Sequence, residues 1–152
     1  MRMTQRIAVA AAALVAAACS QDSSRLLGPG TPVRSTWTRT YYVRGATYVG
    51  THPFNAVPAS YSAGYIKVEL VPDDPAMGAY ELGRVDADGD LWGPYDKPAG
   101  NSVRLTAVPT LSNCTFLGWI FGTSSSISST QNPINMDTYK VYSEATGKFL
   151  CS

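Results

Sequence analysis

Val103-Arg104-Leu105-Thr106-Ala107-Val108, closed by Pro109, then Phe116-Leu117-Gly118-Trp119, then Asn132-Pro133-Ile134-Asn135-Met136-Asp137, then Tyr139-Lys140-Val141-Tyr142-Ser143: this run decides the fold. Its first piece alternates apolar and polar residues and ends at a proline, the pattern of a strand with one buried face. Its third piece carries turn residues around an apolar pair. Its last piece, rich in tyrosine and valine, predicts a closing strand. A regular strand over residues 114–121 would place Phe116 and Trp119 on opposite faces, with Gly118 between them allowing close packing.

Working outward towards the N-terminus, Tyr65 to Val71 is the cleanest alternation in the chain. Ile66, Val68 and Leu70 share one face, and Lys67 and Glu69 share the other. Val71-Pro72-Asp73-Asp74-Pro75 ends it, and a helix there is disfavoured by the two prolines. Trp37 to Gly50 is strand material, dense in Thr, Tyr and Val, and 52–60 reads as a loop. Ala79 to Val85 predicts a further strand. Asp86-Ala87-Asp88-Gly89-Asp90 reads as a hairpin turn, because Asp-Gly between apolar runs tolerates positive φ. Lys97-Pro98-Ala99-Gly100 marks another turn. Ser124 to Ser129 reads as a flexible loop, with a short helical turn as the alternative. Near the C-terminus, Tyr139 to Glu144, a turn at 145–147 and Lys148 to Cys151 suggest a terminal hairpin. The fold class is mainly β: a small antiparallel, sandwich-like or β-grasp-like domain with long loops and little helix. Ten prolines, thirteen glycines and nine tyrosines in 152 residues agree with it.

The N-terminus reads as an export signal. Arg2 and Arg6 precede an apolar run from Ile7 to Ala18, which at twelve residues is too short to span a bilayer as a helix. Ala16-Ala17-Ala18-Cys19 resembles a bacterial lipobox, which implies cleavage before Cys19 and lipidation of its thiol. The acyl chains would hold the protein on a membrane. Ordinary cleavage after Ala18 is the alternative and leaves a free thiol. The organisation expected is a signal peptide over 1–18, a tether over 19–36 and one β domain over 37–152. The tether, with Gly28-Pro29-Gly30 and Pro32, has no periodicity that would order it alone.

Without residues 1–18 the chain has ten Lys and Arg against eleven Asp and Glu. That balance gives no reason to expect a nucleic-acid partner. Residues 23–68 carry Arg25, Arg34, Arg39, Arg44 and Lys67 with no acid, whereas 69–96 carry eight acids. The two stretches are expected to lie side by side, and a basic docking face is the alternative. Cys114 and Cys151 make an even pair in an oxidising compartment, and a disulfide between them is expected. Such a bridge closes a loop of 36 intervening residues, worth about 3–4 kcal/mol by loop entropy. Two buried thiols are the alternative.

The central stretch resembles the divergent internalin B-repeat family, a bacterial surface module. Val103, Leu105, Ala107 and Pro109 match its first strand. Phe116, Gly118 and Trp119 match its Phe-x-Gly-Trp segment. Asn132, Pro133, Met136 and Asp137 match its Asn-Pro and Met-Asp pieces, and Val141 falls in its closing strand. The likeness covers residues 79–145 in a single copy. It implies a non-catalytic surface module in which Phe116, Gly118, Trp119, Asn132, Pro133 and Met136 are structural.

Patterns for chemistry are sparse. Asp86-x-Asp88-Gly89-Asp90 has carboxylates suited to calcium, but Leu91 and Lys97 stand where an EF-hand needs Gly and Glu. His52 is the one histidine, and its Thr-His-Pro context gives no zinc spacing or nucleophile elbow. Asp73, Asp74 and Glu81 are the candidates for a glycosidase pair, with Asp73 and Asp74 pointing apart. Asn113-Cys114-Thr115 matches a glycosylation acceptor by chance. No catalytic residue, metal ligand or cofactor is assigned. The function expected is that of an exported, lipid-anchored bacterial envelope protein, outer-membrane or surface-displayed, serving as an interaction or structural module. The alternative is a periplasm-facing lipoprotein that binds envelope protein or polysaccharide through exposed aromatics. A small hydrolase is a third class and requires a pocket with convergent carboxylates.

Overall fold

The structure, a computed structural model, describes residues 39–51, 57–139 and 141–152. Cys19, the tether, Trp37, His52 and Lys140 lie outside the described residues. The strands among the described residues are β1 (Arg39–Val49), β2 (Val57–Pro58), β3 (Gly64–Val71), β4 (Tyr80–Asp86), β5 (Asp88–Lys97), β6 (Ser102–Pro109), β7 (Cys114–Phe121), β8 (Ile134–Asn135) and β9 (Glu144–Cys151). They make two sheets. In the first, β9 lies between β1 and β7, while β5 and then β2 pair along the other side of β1. The second runs β4-β3-β6-β8. Every pairing is antiparallel except β1 with β9, which is parallel from Tyr42 opposite Glu144 to Val49 opposite Cys151.

The core forms between the sheets. Ile66, Val68, Leu70, Val85, Val103 and Leu105 meet Tyr41, Val43, Trp119, Phe121, Ala145 and Phe149 there, all buried. Alternation on β3 and β6 is as the sequence predicts, so each presents an apolar row inward and a polar row outward. This is the sandwich-like form of the expected fold. A β-grasp needs a helix across its sheet, and the helical segments among the described residues are two 3-10 turns. One of these, Pro75–Met77, follows Asp74, whose carboxylate accepts from the Ala76 amide at 2.9 Å. The basic and acidic stretches do lie side by side: β1 pairs β5, and β3 pairs β4.

Four local expectations are corrected. The 86–90 segment is not a hairpin. β4 and β5 belong to different sheets, and the chain crosses between them at Ala87, which is fully buried. The Ala87 amide donates to the Gly64 carbonyl and the Ser62 hydroxyl, and its carbonyl accepts from the Thr47 hydroxyl at 2.6 Å. A Cβ on Gly45 would sit 2.7 Å from the Ala87 Cα, so the crossing needs a glycine on β1. Gly89, at φ 97°, lies where β5 shifts register against β1, and makes a bulge there in place of a turn.

The C-terminal hairpin is also absent. Met136–Tyr139 is a 3-10 turn, Val141 is 83% exposed, and Glu144–Cys151 is one continuous strand. The closing strand therefore begins after Ser143, and Val141 is outside it. Gly147 does not turn the chain. It makes room: a Cβ there would lie 3.1 Å from the Trp119 ring and 2.8 Å from the Ile66 side chain. The third correction is small: Val57–Pro58, read as loop, pairs with Tyr48 and Val49.

The fourth concerns Phe116 and Trp119. Phe116 faces Phe149, but Gly118 faces Lys148, so β7 carries one extra residue at Leu117. That bulge reverses the alternation and puts both aromatics on the inner face, with ring centroids 5.1 Å apart. Trp119 is fully buried, and its indole N–H donates to the Gln131 carbonyl at 2.8 Å. Gly118, at φ 150°, lies under the serine-rich loop, where a Cβ would sit 2.5 Å from Ile127.

Of the remaining motif residues, Asn132 acts on β6. Asn132 accepts from the Ala107 amide and donates to the Ala107 carbonyl, at 2.9 and 2.7 Å. Its side chain thus imitates a strand neighbour just before β8 takes over at Ile134, and Met136 then drops into the core. Cys114 and Cys151 stand directly opposite on β7 and β9, Cα atoms 4.0 Å apart, and form a disulfide.

Gly78, also at positive φ, faces open space. Gly78→Ala should lose about 1–3 kcal/mol from backbone strain alone. Gly118→Ala should lose about 1–3 kcal/mol more, from overpacking against Ile127 and Ser129. Urea unfolding of the two variants measures the difference, and equal losses would contradict the close approach of the loop to β7.

Candidate functional site

Three surface features among the described residues bear on function. The outer face of the second sheet is a charged lattice. Glu69 lies opposite Arg104 and bonds its guanidinium at 3.0 Å, and Lys67 reaches the other carboxylate oxygen at 3.1 Å. Only 10% of the Glu69 side chain is exposed. The Arg104 hydrogen bond, followed by that of Lys67, holds the Glu69 carboxyl below the usual glutamate range against an opposing effect of burial. On the neighbouring strand, Glu81 pairs with Arg84, and the Arg84 guanidinium sits 4.8 Å from the Tyr65 ring centroid. These carboxylates are each held by a cation, which suits a solvated structural face.

The second feature is the cluster at the start of β1. Lys97 donates to Asp137 at 2.7 Å, Arg39 donates to the Tyr142 carbonyl at 3.0 Å, and Arg39 lies over the Tyr41 ring at 5.3 Å. Burial chiefly, and the Asp137 carboxylate, raise the Tyr41 phenol pKa, and Arg39 opposes them. The shallow cleft here, about 350 Å³, is lined by Arg39, Lys97, Gly100, Asn101 and Asp137. It has one lining carboxylate, already paired.

The third is a groove of about 500 Å³ on the outer face of the first sheet. Its floor comes from alternate residues of three adjacent strands: Arg44, Ala46 and Tyr48 of β1, Thr146 and Lys148 of β9, and Ile120 of β7. Gly122 to Ser125 wall one side; Pro58 and Gly89 border the other. Lys148 is 7% exposed, with its ammonium 4.7 Å from the Tyr48 ring centroid. Arg44 approaches Glu144 at 3.9 Å, and its buried Nε–H has no acceptor among the described residues. On the same face, beside Arg44, Tyr42 and Leu91 are exposed at 39% and 43%.

The residues singled out from sequence for chemistry do not converge. Asp74 caps a 3-10 turn, Glu81 is paired with Arg84, and Asp73 sits beside Gly100. Asp88 accepts from the Asp90 amide. Among the described residues, no group of three His, Cys, Asp or Glu is placed to hold a metal ion. Trp119 is in the core, so it offers no stacking surface. The groove residues were not legible as a set. Arg44 and Tyr48 share β1 but are far in sequence from Lys148, and only the parallel β1–β9 register brings the three together. Comparisons with protein-family models, with curated proteins and with solved structures find no match.

Protonating Glu69 should weaken the fold. Its folded pKa is lowered, so its contribution is fully present above about pH 5 and is lost as pH falls through the lowered value. Thermal melts between pH 7 and pH 3 should show a falling midpoint. Glu69→Gln should be less stable at pH 7 and flatter across that range, and an unchanged pH slope would contradict the assignment.

Proposed function

We propose that this chain is an exported, lipid-anchored bacterial envelope protein that acts as a non-catalytic interaction module. The observation that carries the reading is a Cys-terminated export pattern on a chain whose folded part is cross-linked by Cys114 and Cys151. Disulfides persist in oxidising compartments outside the cytoplasm. The resemblance to internalin B-repeats supports the role of a surface module. Cys19 is the proposed lipid attachment point, and the stretch behind it is the proposed spacer between membrane and domain.

A second reading, a periplasm-facing lipoprotein that binds polysaccharide, is favoured by one observation. Tyr42 and Leu91, on the same face of the sheet as Arg44, expose apolar area beside a groove that also offers hydroxyls. Aromatic and apolar surface next to polar groups is the makeup of many ligand sites. In either reading the sheets act as a rigid support and the work is recognition.

Fatty-acid labelling of the wild type and Cys19→Ala tests the anchor. Label should enter the wild type and be absent from the variant, and equal incorporation would contradict it. External protease on intact cells should release the wild-type domain by cutting the proposed spacer. Protection from protease would reject surface display in favour of the inward-facing reading.

A further inference from the structure

The groove on the first sheet is amphiphilic and of a size to hold a few sugar rings. Two cations, Arg44 and Lys148, and one carboxylate, Glu144, line it. The 3.9 Å Arg44–Glu144 separation exceeds that of a charge-assisted hydrogen bond. Glu144 therefore does not saturate the guanidinium, and the Arg44 side chain is 40% exposed where it lines the groove. An accessible, incompletely paired guanidinium favours an anionic acceptor. Thr123, Ser124, Ser125 and Thr146 add hydroxyls along the wall and floor, while Ala46, Ile120 and the Tyr48 ring add apolar surface.

We propose that this groove binds an acidic saccharide, a carboxylate-bearing sugar chain whose acid group sits at Arg44. Carboxylate and guanidinium match in planar geometry. Ring hydroxyls fit the Ser and Thr lining, and the C–H faces of sugar rings fit Ala46, Ile120 and Tyr48. A lone phosphate satisfies the charge but leaves most of about 500 Å³ unfilled. The proposal rests on the reading of this chain as an interaction module and adds the class of ligand.

The test uses the full exported chain, titrated with trigalacturonate, with maltotriose as the neutral control and with inorganic phosphate. Affinity is read by calorimetry and location by amide chemical shifts. Trigalacturonate should bind at least about tenfold more tightly than maltotriose, weaken as salt rises, and shift the amides of Arg44, Thr146 and Lys148. Arg44→Gln should lower affinity about tenfold or more with an unchanged melting temperature, and Arg44→Lys should recover part of it. Equal affinity for the acidic and neutral trimers, shifts lying elsewhere, or phosphate producing the same shifts as the trimer would each overturn the assignment. Failure of all three probes to bind would overturn it too, while leaving membrane display to be judged by the labelling and protease results.

Discussion

Everything in this fold leans on how β9 is held. It lies inside the first sheet, with β1 parallel on one side and β7 antiparallel on the other. The parallel pairing joins the first described strand to the last. Such a contact has a large sequence separation and a correspondingly large loop-closure cost. Two local devices offset that cost. The Cys114–Cys151 bond fixes one end of the β7–β9 pair, and Gly147 lets the Trp119 ring and the Ile66 side chain close over the strand from the core side. Crossing at Ala87 is the other half of the arrangement. By tying Thr47, Ser62 and Gly64 to one buried residue, it connects the two sheets through hydrogen bonds as well as through apolar contact.

The surface chemistry follows from this geometry. Because β9 runs parallel to β1, outward residues at 44, 46 and 48 fall beside those at 146 and 148. The same pleat that sends Val43, Ala145 and Phe149 into the core sends Arg44, Thr146 and Lys148 out. A bulge at Leu117 keeps Phe116 and Trp119 inside and leaves Ile120 on the groove side. Core and groove are thus two faces of one sheet. A change that slips the β9 register by one residue would exchange them.

Much of the fold could be read from the residues, and the parts that could not share a physical cause. The strands at 65–71 and 103–109 were legible because each has one wet and one dry face. The pairing of Cys114 with Cys151 was legible because, with Cys19 set apart in the N-terminal pattern, only two cysteines remain. The Leu117 bulge was hidden, because an extra residue in a strand leaves no mark in composition; only its effect on the facing of Phe116 and Trp119 reveals it. Asp88-Gly89 and Ala145-Thr146-Gly147 misled in one way. In both, the glycine reads as a turn, while in the fold it serves a bulge or a close approach within a strand. Tyr139 to Ser143 has strand propensity, but tertiary context overrides it once Met136 enters the core from a 3-10 turn. The groove had no local signature, since its residues come from strands that are distant in sequence.

Native-state hydrogen exchange along β9 is the most direct test of this account. Inserted between β1 and β7, the amides from Ala145 to Cys151 should exchange among the slowest in the protein, approaching the rate set by global unfolding. Fast exchange centred on Gly147, as a turn would give, with slow exchange confined to its flanks, would contradict the continuous β9 strand and with it the placement of both the core and the groove.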